Sequence, residues 1–280
     1  MRIANLSGRL ALIVEDRAVD VEQASAGLFS ADPQAVYERW NEFCSWAAGA
    51  DLPAGMPFEA SRLGSPAPAP RQMLAIGLNY RDHAAESGFV TPEGLPPVFT
   101  KYVTSISGPV TEVHLPPGGH TDWEVELVAI IGSRAQKVSE SDAWSHVAGL
   151  TVGQDISERI VQLAGPAPQF SLGKSFPGFA PIGPWLVTPD EFDNPGDLEL
   201  RCAVNGEEVQ KGRTRDLIFS VPALIAGLSA VLTLLPGDVI FTGTPAGVGL
   251  GRDPQRFLAA GDELVSTIDG IGELRQTFVA

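Results

Sequence analysis

Cysteine is scarce in this chain: Cys44 and Cys202 are the only two among 280 residues, and neither belongs to a CxxC pair. So low a count excludes the disulfide-dense scaffolds of small secreted domains. It predicts the reducing cytoplasm as the compartment. The segment 1–8 agrees with this prediction, because it has no apolar core of signal-peptide length.

Positive charge is also in short supply. The chain has 19 Lys and Arg against 34 Asp and Glu, which gives a formal net charge of −15. Such an acidic surface argues against binding to nucleic acid or to an anionic membrane as the main role. It also means that an anionic substrate would need a local positive site to overcome the field of the whole chain.

Long hydrophobic runs are nearly absent, and the one exception is 219–237. This run carries no charge, but Ser, Pro and Gly residues interrupt it, and it is barely long enough to span a bilayer. A buried helix is the better interpretation. Ser220 is placed to cap its N-terminus, Pro222 lies in its first turn, and Leu235-Pro236-Gly237 ends it.

Glycine and proline are plentiful, with 30 and 23 residues, and they predict many turns. Asn205-Gly206, between the strands predicted over 198–204 and 207–209, predicts a β-hairpin. The Pro-rich stretch 64–70 indicates an extended linker. We therefore predict a small N-terminal α+β domain over 1–68 and a larger domain over 69–280. The density of strands and turns in the larger domain predicts an α/β (α+β) fold with a closed or rolled β architecture and few helices.

The stretch 121–132 reads as a strand in which two carboxylates share one face. Side chains alternate between faces along a strand, so Glu124 and Glu126 point the same way while Trp123, Val125 and Leu127 point the other way. Two like charges running into an apolar segment are unfavourable unless a positive group lies between them. A divalent cation would serve, but two glutamates on a solvated strand face explain the pattern equally well.

A third oxygen ligand would favour the cation. Asp155 follows the predicted strand 148–154 and is the candidate. The alternative is that Asp155 and Glu158 form a capping box at the start of a helix.

The segment 79–88 predicts a short helix that Asn79 begins and Gly88 ends. In this helix His83 and Glu86 are three residues apart and therefore neighbours on one face. A carboxylate beside an imidazole raises its basicity and fixes its orientation, as a general base requires. Taken alone, the pair is more commonly an exposed contact on a surface helix.

The stretch 236–249 predicts a strand that breaks into a Gly/Thr-rich loop, whose backbone N–H groups could form a nest for a carboxylate. It has neither the lysine nor the spacing of a P-loop, and no GxGxxG unit indicates a dinucleotide site.

Several short motifs, taken in order, resemble those of the fumarylacetoacetate hydrolase family. The resemblance covers the chain from about Leu74 to its C-terminus, and its specificity comes from the joint order and spacing. The motifs are Gly77-Leu78-Asn79-Tyr80 with His83 and Glu86, Asp122-Trp123-Glu124-Val125-Glu126-Leu127, Gln154-Asp155-Ile156-Ser157, Gly173-Lys174-Ser175-Phe176, Gly183-Pro184-Trp185, Val204-Asn205-Gly206, and 235–249 with Leu235-Pro236-Gly237-Asp238 and Thr242-Gly243-Thr244-Pro245.

The resemblance implies a mixed β-roll or barrel-like catalytic domain, a small N-terminal domain and a homodimer. It implies Mg²⁺ or Mn²⁺, with Ca²⁺ as a substitute in a crystal, on Glu124, Glu126 and Asp155. A ligand set of carboxylates alone favours such hard cations over zinc.

The resemblance also implies roles in catalysis and substrate binding. His83 and Glu86 would be the base dyad, on a segment (80–100) that orders around substrate. Lys174 and Gln162 would face the substrate carbonyl or enolate, and Thr244 with the loop amides, including Gly243, would hold a substrate carboxylate.

The expected activity is metal-dependent hydrolysis of a carbon–carbon bond in a 1,3-diketone or 2-oxo acid of the acylpyruvate type. Three alternatives stay open: an oxaloacetate decarboxylase or tautomerase, a 2,4-diketo-3-deoxy sugar-acid hydrolase, and a ligand-binding protein without turnover. The chain departs from the usual family pattern at Pro177 and at 159–162, and both positions are expected to shape the substrate pocket.

Overall fold

The structure is a computed structural model that describes residues 1–86 and 94–280. The helix end predicted at Gly88 lies outside the described residues, as does part of the 80–100 segment expected to order around substrate.

Short strands dominate the described chain, joined by few helices. The strands are β1 Arg2–Leu6, β2 Arg9–Val14, β3 Arg17–Asp20, β4 Leu63–Gly64, β5 Met73–Ile76, β6 Val98–Thr100, β7 Ile106–Ser107, β8 Val110–His114, β9 Thr121–Asp122, β10 Val125–Ile131, β11 Val147–Gln154, β12 Ser157–Glu158, β13 Ala180–Val187, β14 Glu199–Val204, β15 Glu207–Arg213, β16 Val239–Phe241, β17 Glu263–Ile268 and β18 Gly272–Val279.

The α-helices are α1 Val21–Ala24, α2 Trp40–Gly49, α3 Arg81–Glu86, α4 Arg159–Gln162 and α5 Val221–Val231. Short 3₁₀ helices cover Ala35–Arg39, Ala60–Arg62, Val103–Ser105, Glu140–His146, Pro189–Glu191, Thr214–Asp216 and Gly249–Gly251.

Three sheets form a mixed α/β fold, which confirms the predicted fold class. The largest sheet has eleven strands, nine of them on the path β3-β2-β1-β13-β11-β10-β16-β5-β6. A five-stranded sheet follows the order β15-β14-β17-β18-β8, and β9 pairs with β12. Within the described chain the sheet paths are open, so the sheets do not form a closed barrel.

The N-terminal strands continue the large sheet. β1 pairs antiparallel with β13, with Arg2 opposite Val187, so the first strands and the later domain share hydrogen bonds. One buried hydrophobic cluster also joins Phe43 of α2 to Val128 of β10. The division at residue 68 stays a prediction.

Two local predictions are confirmed. Asn205 and Gly206 connect β14 to β15 with φ values of 52° and 82°, as a two-residue hairpin turn requires. Helix α5 begins where Ser220 Oγ accepts a hydrogen bond from the Ala223 N–H. It ends at Val231, earlier than the predicted stop at 235–237.

Strand β10 lies inside the fold, and all seven of its residues are buried. Its neighbours in the sheet are β11 and β16, which bring the chain after Gln154 and the loop after Phe241 to the same end of the sheet. In the described part of the chain, no helix combines the length and apolar character needed to cross a bilayer.

Candidate active site

The predicted strand 121–132 is interrupted at Trp123 and Glu124, which separate β9 from β10. The predicted alternation holds nevertheless. Trp123 and Val125 pack in the main hydrophobic cluster, while Glu124 and Glu126 line a cavity. The two glutamates are buried, so the alternative of a solvated strand face is wrong.

Asp155 completes a group of three carboxylates. One oxygen from each of Glu124, Glu126 and Asp155 lies within 4.8 Å of the others. The Asp155 side chain accepts hydrogen bonds from Lys101 Nζ at 2.5 Å and Lys174 Nζ at 2.8 Å. Helix α4 is capped by Glu158 instead, so the capping-box alternative for Asp155 is wrong.

The three carboxylates lie in unequal electrostatic surroundings. Burial acts to raise the pKa of Glu124, but the charges of Lys174 and Arg159 outweigh burial and bring it to about 2. Burial raises the pKa of Glu126 well above its usual range, and the charges of Asp155 and Glu124 raise it further. Glu126 accepts a hydrogen bond from the Gly243 N–H at 2.7 Å.

This donor set fits a hard divalent cation. In the described chain, the four neighbouring buried carboxylates Asp122, Glu124, Glu126 and Asp155 outnumber the three buried cations that pair with members of this group, Lys101, Arg159 and Lys174. Carboxylate oxygens without thiolate or imidazole are the ligands that Mg²⁺ and Mn²⁺ prefer. A cation among the three acids would also remove the repulsion that raises the pKa of Glu126.

Lys101 belongs to the site and was missed by sequence reasoning. Its ammonium is buried between Asp155 Oδ1 and the backbone carbonyl of Lys174, to which it also donates a hydrogen bond. Burial lowers the pKa of Lys101, although the charge of Asp155 opposes this shift. The one weak signal in the sequence was that Lys101 follows the apolar segment Val98-Phe99-Thr100. A lysine buried beside such a segment needs a charged partner, because lysine is rarely buried without one.

Lys174 lines the cavity beside the acids, and its role toward the substrate stays a prediction. Its Nζ donates to Glu124 Oε2 at 2.6 Å and to Asp155 Oδ2 at 2.8 Å. Burial acts to lower the pKa of Lys174, but the charges of Asp155 and Glu124 reverse this and raise it. The ammonium therefore keeps its charge.

Arg159 and Asp122 form a second buried ion pair that sequence reasoning missed. Two guanidinium nitrogens of Arg159 donate to Asp122 Oδ2, at 2.9 and 2.7 Å. A third reaches Glu124 Oε1 at 2.8 Å and Gln162 Oε1 at 2.9 Å. Asp122 also accepts the Gly249 N–H at 2.6 Å. This pair therefore ties a carboxylate of the acidic group to the loop after β16.

The predicted dyad is present on α3. His83 Nδ1 lies 2.9 Å from Glu86 Oε1, and the His83 ring lines the same cavity as Glu124 and Glu126. The Gly247 N–H donates to both oxygens of Glu86, at 3.1 and 3.0 Å. His83 is buried, so the alternative of an exposed surface pair is wrong.

The loop after β16 already binds carboxylates of the protein itself. Its amides at Gly243 and Gly247 hold Glu126 and Glu86. Thr244 lines the cavity, and its hydroxyl donates to the Val125 carbonyl at 2.9 Å. The substrate roles of Gly243 and Thr244 stay predictions.

The cavity encloses about 190 Å³. Gln162 lines it from α4, next to Arg159, so one of the two departures from the family pattern does border the cavity. Pro177 is exposed and is not among the described residues that line the cavity. The expectation that Pro177 shapes the pocket finds no support in this geometry.

This chain is similar to known proteins in sequence and in fold. The family model for the C-terminal domain of fumarylacetoacetate (FAA) hydrolase matches residues 72–279. The chain therefore belongs to the fumarylacetoacetate hydrolase family, whose members are enzymes: hydrolases, isomerases and tautomerases.

Two curated relatives act on different substrates. The human mitochondrial oxaloacetate tautomerase FAHD2A is 43% identical over 227 residues, covering 81% of this chain and 72% of the relative. The 2,4-didehydro-3-deoxy-L-rhamnonate hydrolase of Sphingomonas sp. is 45% identical over 234 residues, covering 82% of this chain and 81% of the relative.

Two solved structures share the fold along the whole chain. A putative HpcE protein from Mycobacterium smegmatis superposes with a TM-score of 0.96 and 57% identity, covering 100% of this chain and 99% of that one. Maleylpyruvate hydrolase from Sphingobium sp. SYK-6, in complex with manganese(II) and pyruvate, superposes with a TM-score of 0.79 and 29% identity, with coverage of 100% and 99%.

Proposed function

We propose that this protein is a divalent-metal-dependent hydrolase that cleaves the carbon–carbon bond of an acylpyruvate-type 1,3-diketone or 2-oxo acid. The observation that carries the proposal is that His83, paired with Glu86, lines the same cavity as Glu124 and Glu126, which are grouped with Asp155. A base and a cation site that face each other are what the hydrolytic attack on a ketone requires.

Glu124, Glu126 and Asp155 would hold the metal, Mg²⁺ or Mn²⁺. When bound, the metal supplies Lewis-acid chemistry to the oxygens of the substrate. The manganese and pyruvate in the maleylpyruvate hydrolase structure support both the metal and the pyruvyl end of the substrate.

His83 would act as the general base. Its Nδ1 faces Glu86, so the N–H lies on Nδ1 and the lone pair of Nε2 is left for a proton. Nε2 takes a proton from water, and the water oxygen bonds to the acyl carbonyl carbon. The bond from that carbon to C3 of the pyruvyl unit then breaks. The electron pair leaves on C3 as the pyruvate enolate, which is protonated to pyruvate.

Lys174 would stabilise the negative charge of the enolate. Its ammonium keeps its charge and lies on the cavity wall beside Glu124. Preorganised donors of this kind stabilise developing charge because they need no reorganisation during the reaction. Gln162, Thr244 and Gly243 would orient the substrate.

The test is turnover of acetylpyruvate by metal-stripped protein, with and without added Mg²⁺ or Mn²⁺. We expect metal-dependent loss of diketone absorbance with release of pyruvate. His83→Ala should keep metal binding and lose about 10²–10⁴-fold in kcat. The matched control is His114→Ala, because His114 is an exposed imidazole outside the cavity lining. Undiminished hydrolysis by His83→Ala would remove the base assignment.

A second candidate is oxaloacetate tautomerisation or decarboxylation at the same site. The identity to the human oxaloacetate tautomerase favours it, since proton transfer needs the same dyad. The two candidate functions are distinguished by measuring the oxaloacetate tautomers and pyruvate separately. Conversion of oxaloacetate without hydrolysis of acetylpyruvate would favour this candidate.

The cytoplasmic compartment and the homodimer also stay predictions. They rest on the low cysteine count and on the family resemblance respectively.

A further inference from the structure

The described cavity lining combines two kinds of side chain. Seven are polar or charged: His83, Glu124, Glu126, Arg159, Gln162, Lys174 and Thr244. Six are apolar and are called the apolar wall below: Ile76, Leu78, Phe99, Leu163, Phe170 and Leu250. Phe99 and Phe170 meet edge to face, with ring centroids 5.5 Å apart. The part of a substrate that extends away from the acids would therefore contact hydrocarbon.

The cationic side chains of Arg159 and Lys174 on the described lining already pair with carboxylates of the protein. Arg159 pairs with Asp122 and Glu124, and Lys174 pairs with Glu124 and Asp155. The sequence of 87–93 adds none, because it contains no Lys, Arg or His. A second carboxylate at the apolar wall would thus be desolvated without a charged partner, which is costly.

Leu78, on the apolar wall, has a strained backbone conformation that neighbouring hydrogen bonds hold in place. Its φ is 57°, in the left-handed region that bulky residues seldom adopt. The neighbouring Asn79 holds it there: the Asn79 amide donates to the carbonyls of Thr242 and Phe219, at 2.8 and 3.0 Å, and accepts the Phe219 N–H at 2.8 Å. Strain of this kind persists where surrounding contacts fix it, often at functional sites.

We propose that the substrate is an acylpyruvate whose acyl group is apolar, an alkyl or aryl chain, and that acyl groups ending in a second carboxylate are disfavoured. This inference rests on the proposed hydrolase function. It sets the chain apart from oxaloacetate enzymes, whose substrate carries a carboxylate at both ends.

The experiment compares two substrates of the same shape, 4-methylpentanoylpyruvate and succinylpyruvate, in the presence of Mn²⁺. They differ in an isopropyl group against a carboxylate at the far end. We expect kcat/KM to favour the branched alkyl substrate by about 100-fold or more, since the carboxylate loses its water without gaining a partner. Along the series acetyl-, propanoyl- and butanoylpyruvate, kcat/KM should rise about fourfold per methylene.

A positive charge placed on the apolar wall should shift the substrate preference from the branched alkyl substrate toward succinylpyruvate. Leu163 is 42% exposed, so Leu163→Lys can be accommodated without burying the ammonium. We expect this variant to raise kcat/KM for succinylpyruvate about tenfold and to lower it for the branched alkyl substrate. Val231→Lys is the matched control, because Val231 is 81% exposed on α5 and outside the cavity lining, and it should leave both values unchanged.

The outcomes separate the two proposals. Equal turnover of both substrates, or faster turnover of succinylpyruvate, overturns the apolar acyl group and leaves the hydrolase function standing. No pyruvate from any acylpyruvate, in protein shown to bind Mn²⁺, overturns the hydrolase function itself.

Discussion

Glu124 and Glu126 are two residues apart and belong to one acidic group, yet they contribute differently to the stability of the metal-free protein. Lys174 and Arg159 both bond to Glu124, whereas the charges of Asp155 and Glu124 act on Glu126 without an ammonium or guanidinium bonded to it in the described chain. Glu124 thus compensates buried cations, and Glu126 adds repulsion. Replacing Glu124 should therefore lower the stability of the metal-free protein, whereas replacing Glu126 should not.

We expect Glu124→Ala to destabilise the metal-free protein by about 3 kcal/mol, because it leaves Lys174 and Arg159 buried with fewer partners. We expect Glu126→Gln to leave the melting temperature in EDTA unchanged or higher. Both should abolish the rise in melting temperature that Mn²⁺ gives the wild type, and activity with it. Thermal unfolding with EDTA and with Mn²⁺ measures all of these. A clearly less stable Glu126→Gln protein would contradict the electrostatic account.

At the scale of elements, the loop after β16 positions the dyad on α3. Gly247 donates to Glu86, has a φ of 107°, and lies so close to the chain that an added Cβ would be 2.1 Å from the Val209 carbonyl oxygen. Gly247→Ala should therefore displace the loop. The proposed metal ligands belong to other elements, and the loop contacts Glu126 at Gly243, four residues before the substitution, so Mn²⁺ affinity should be kept.

We expect Gly247→Ala to lower kcat at least tenfold with little change in Mn²⁺ binding. Gly261→Ala is the matched control, since Gly261 has a φ of 94° and open space around its Cα. That control introduces the same left-handed strain, at about 1 kcal/mol, without a clash. Steady-state kinetics and Mn²⁺ titration of both variants measure the difference. Equal kinetics for the two would show that the loop does not position Glu86.

Short-range patterns in the sequence predicted much of this architecture. Alternation along 121–132 placed Glu124 and Glu126 on one face, and Asn205-Gly206 gave the hairpin. Lys101 and Arg159 could not be found in this way. Their partners, Asp155 and Asp122, are distant in sequence, and only the pairing of strands brings them together. Both residues are buried in the fold, where they bond to these carboxylates.

At the scale of the whole molecule, exposed arginine–carboxylate pairs make stability depend on pH. The hydrogen bond from Arg213 lowers the pKa of Asp197 below its usual 3.8. A carboxyl group with a lowered pKa in the folded state stabilises above its unfolded pKa, and this stability is lost as pH falls through the folded value. The contribution of the pair should therefore be present at pH 6 and fade below about pH 4.

We expect Arg213→Gln to lower the melting temperature slightly at pH 6, on the order of 1 °C, and to match the wild type at pH 3. Comparing the two proteins at each pH cancels contributions of other carboxyl groups, including Asp238, whose pKa burial raises. The difference at pH 6 should shrink in 1 M NaCl, because salt screens exposed pairs. A difference that does not vary with pH would contradict the assignment.

The pairing of β5 with β16 carries a consequence for how the chain acquires its structure. Met73 lies opposite Val239, and Val110 of β8 lies opposite Arg275 of β18, so both parallel pairs join stretches that are far apart in the sequence. Folding is slow when native contacts span long stretches of sequence, because loop closure must precede the contacts that reward it. On the ribosome, the acids at 124, 126 and 155 emerge well before the loop at 243–250 that completes the cavity. The nascent chain therefore cannot complete this cavity until residue 250 has been synthesised.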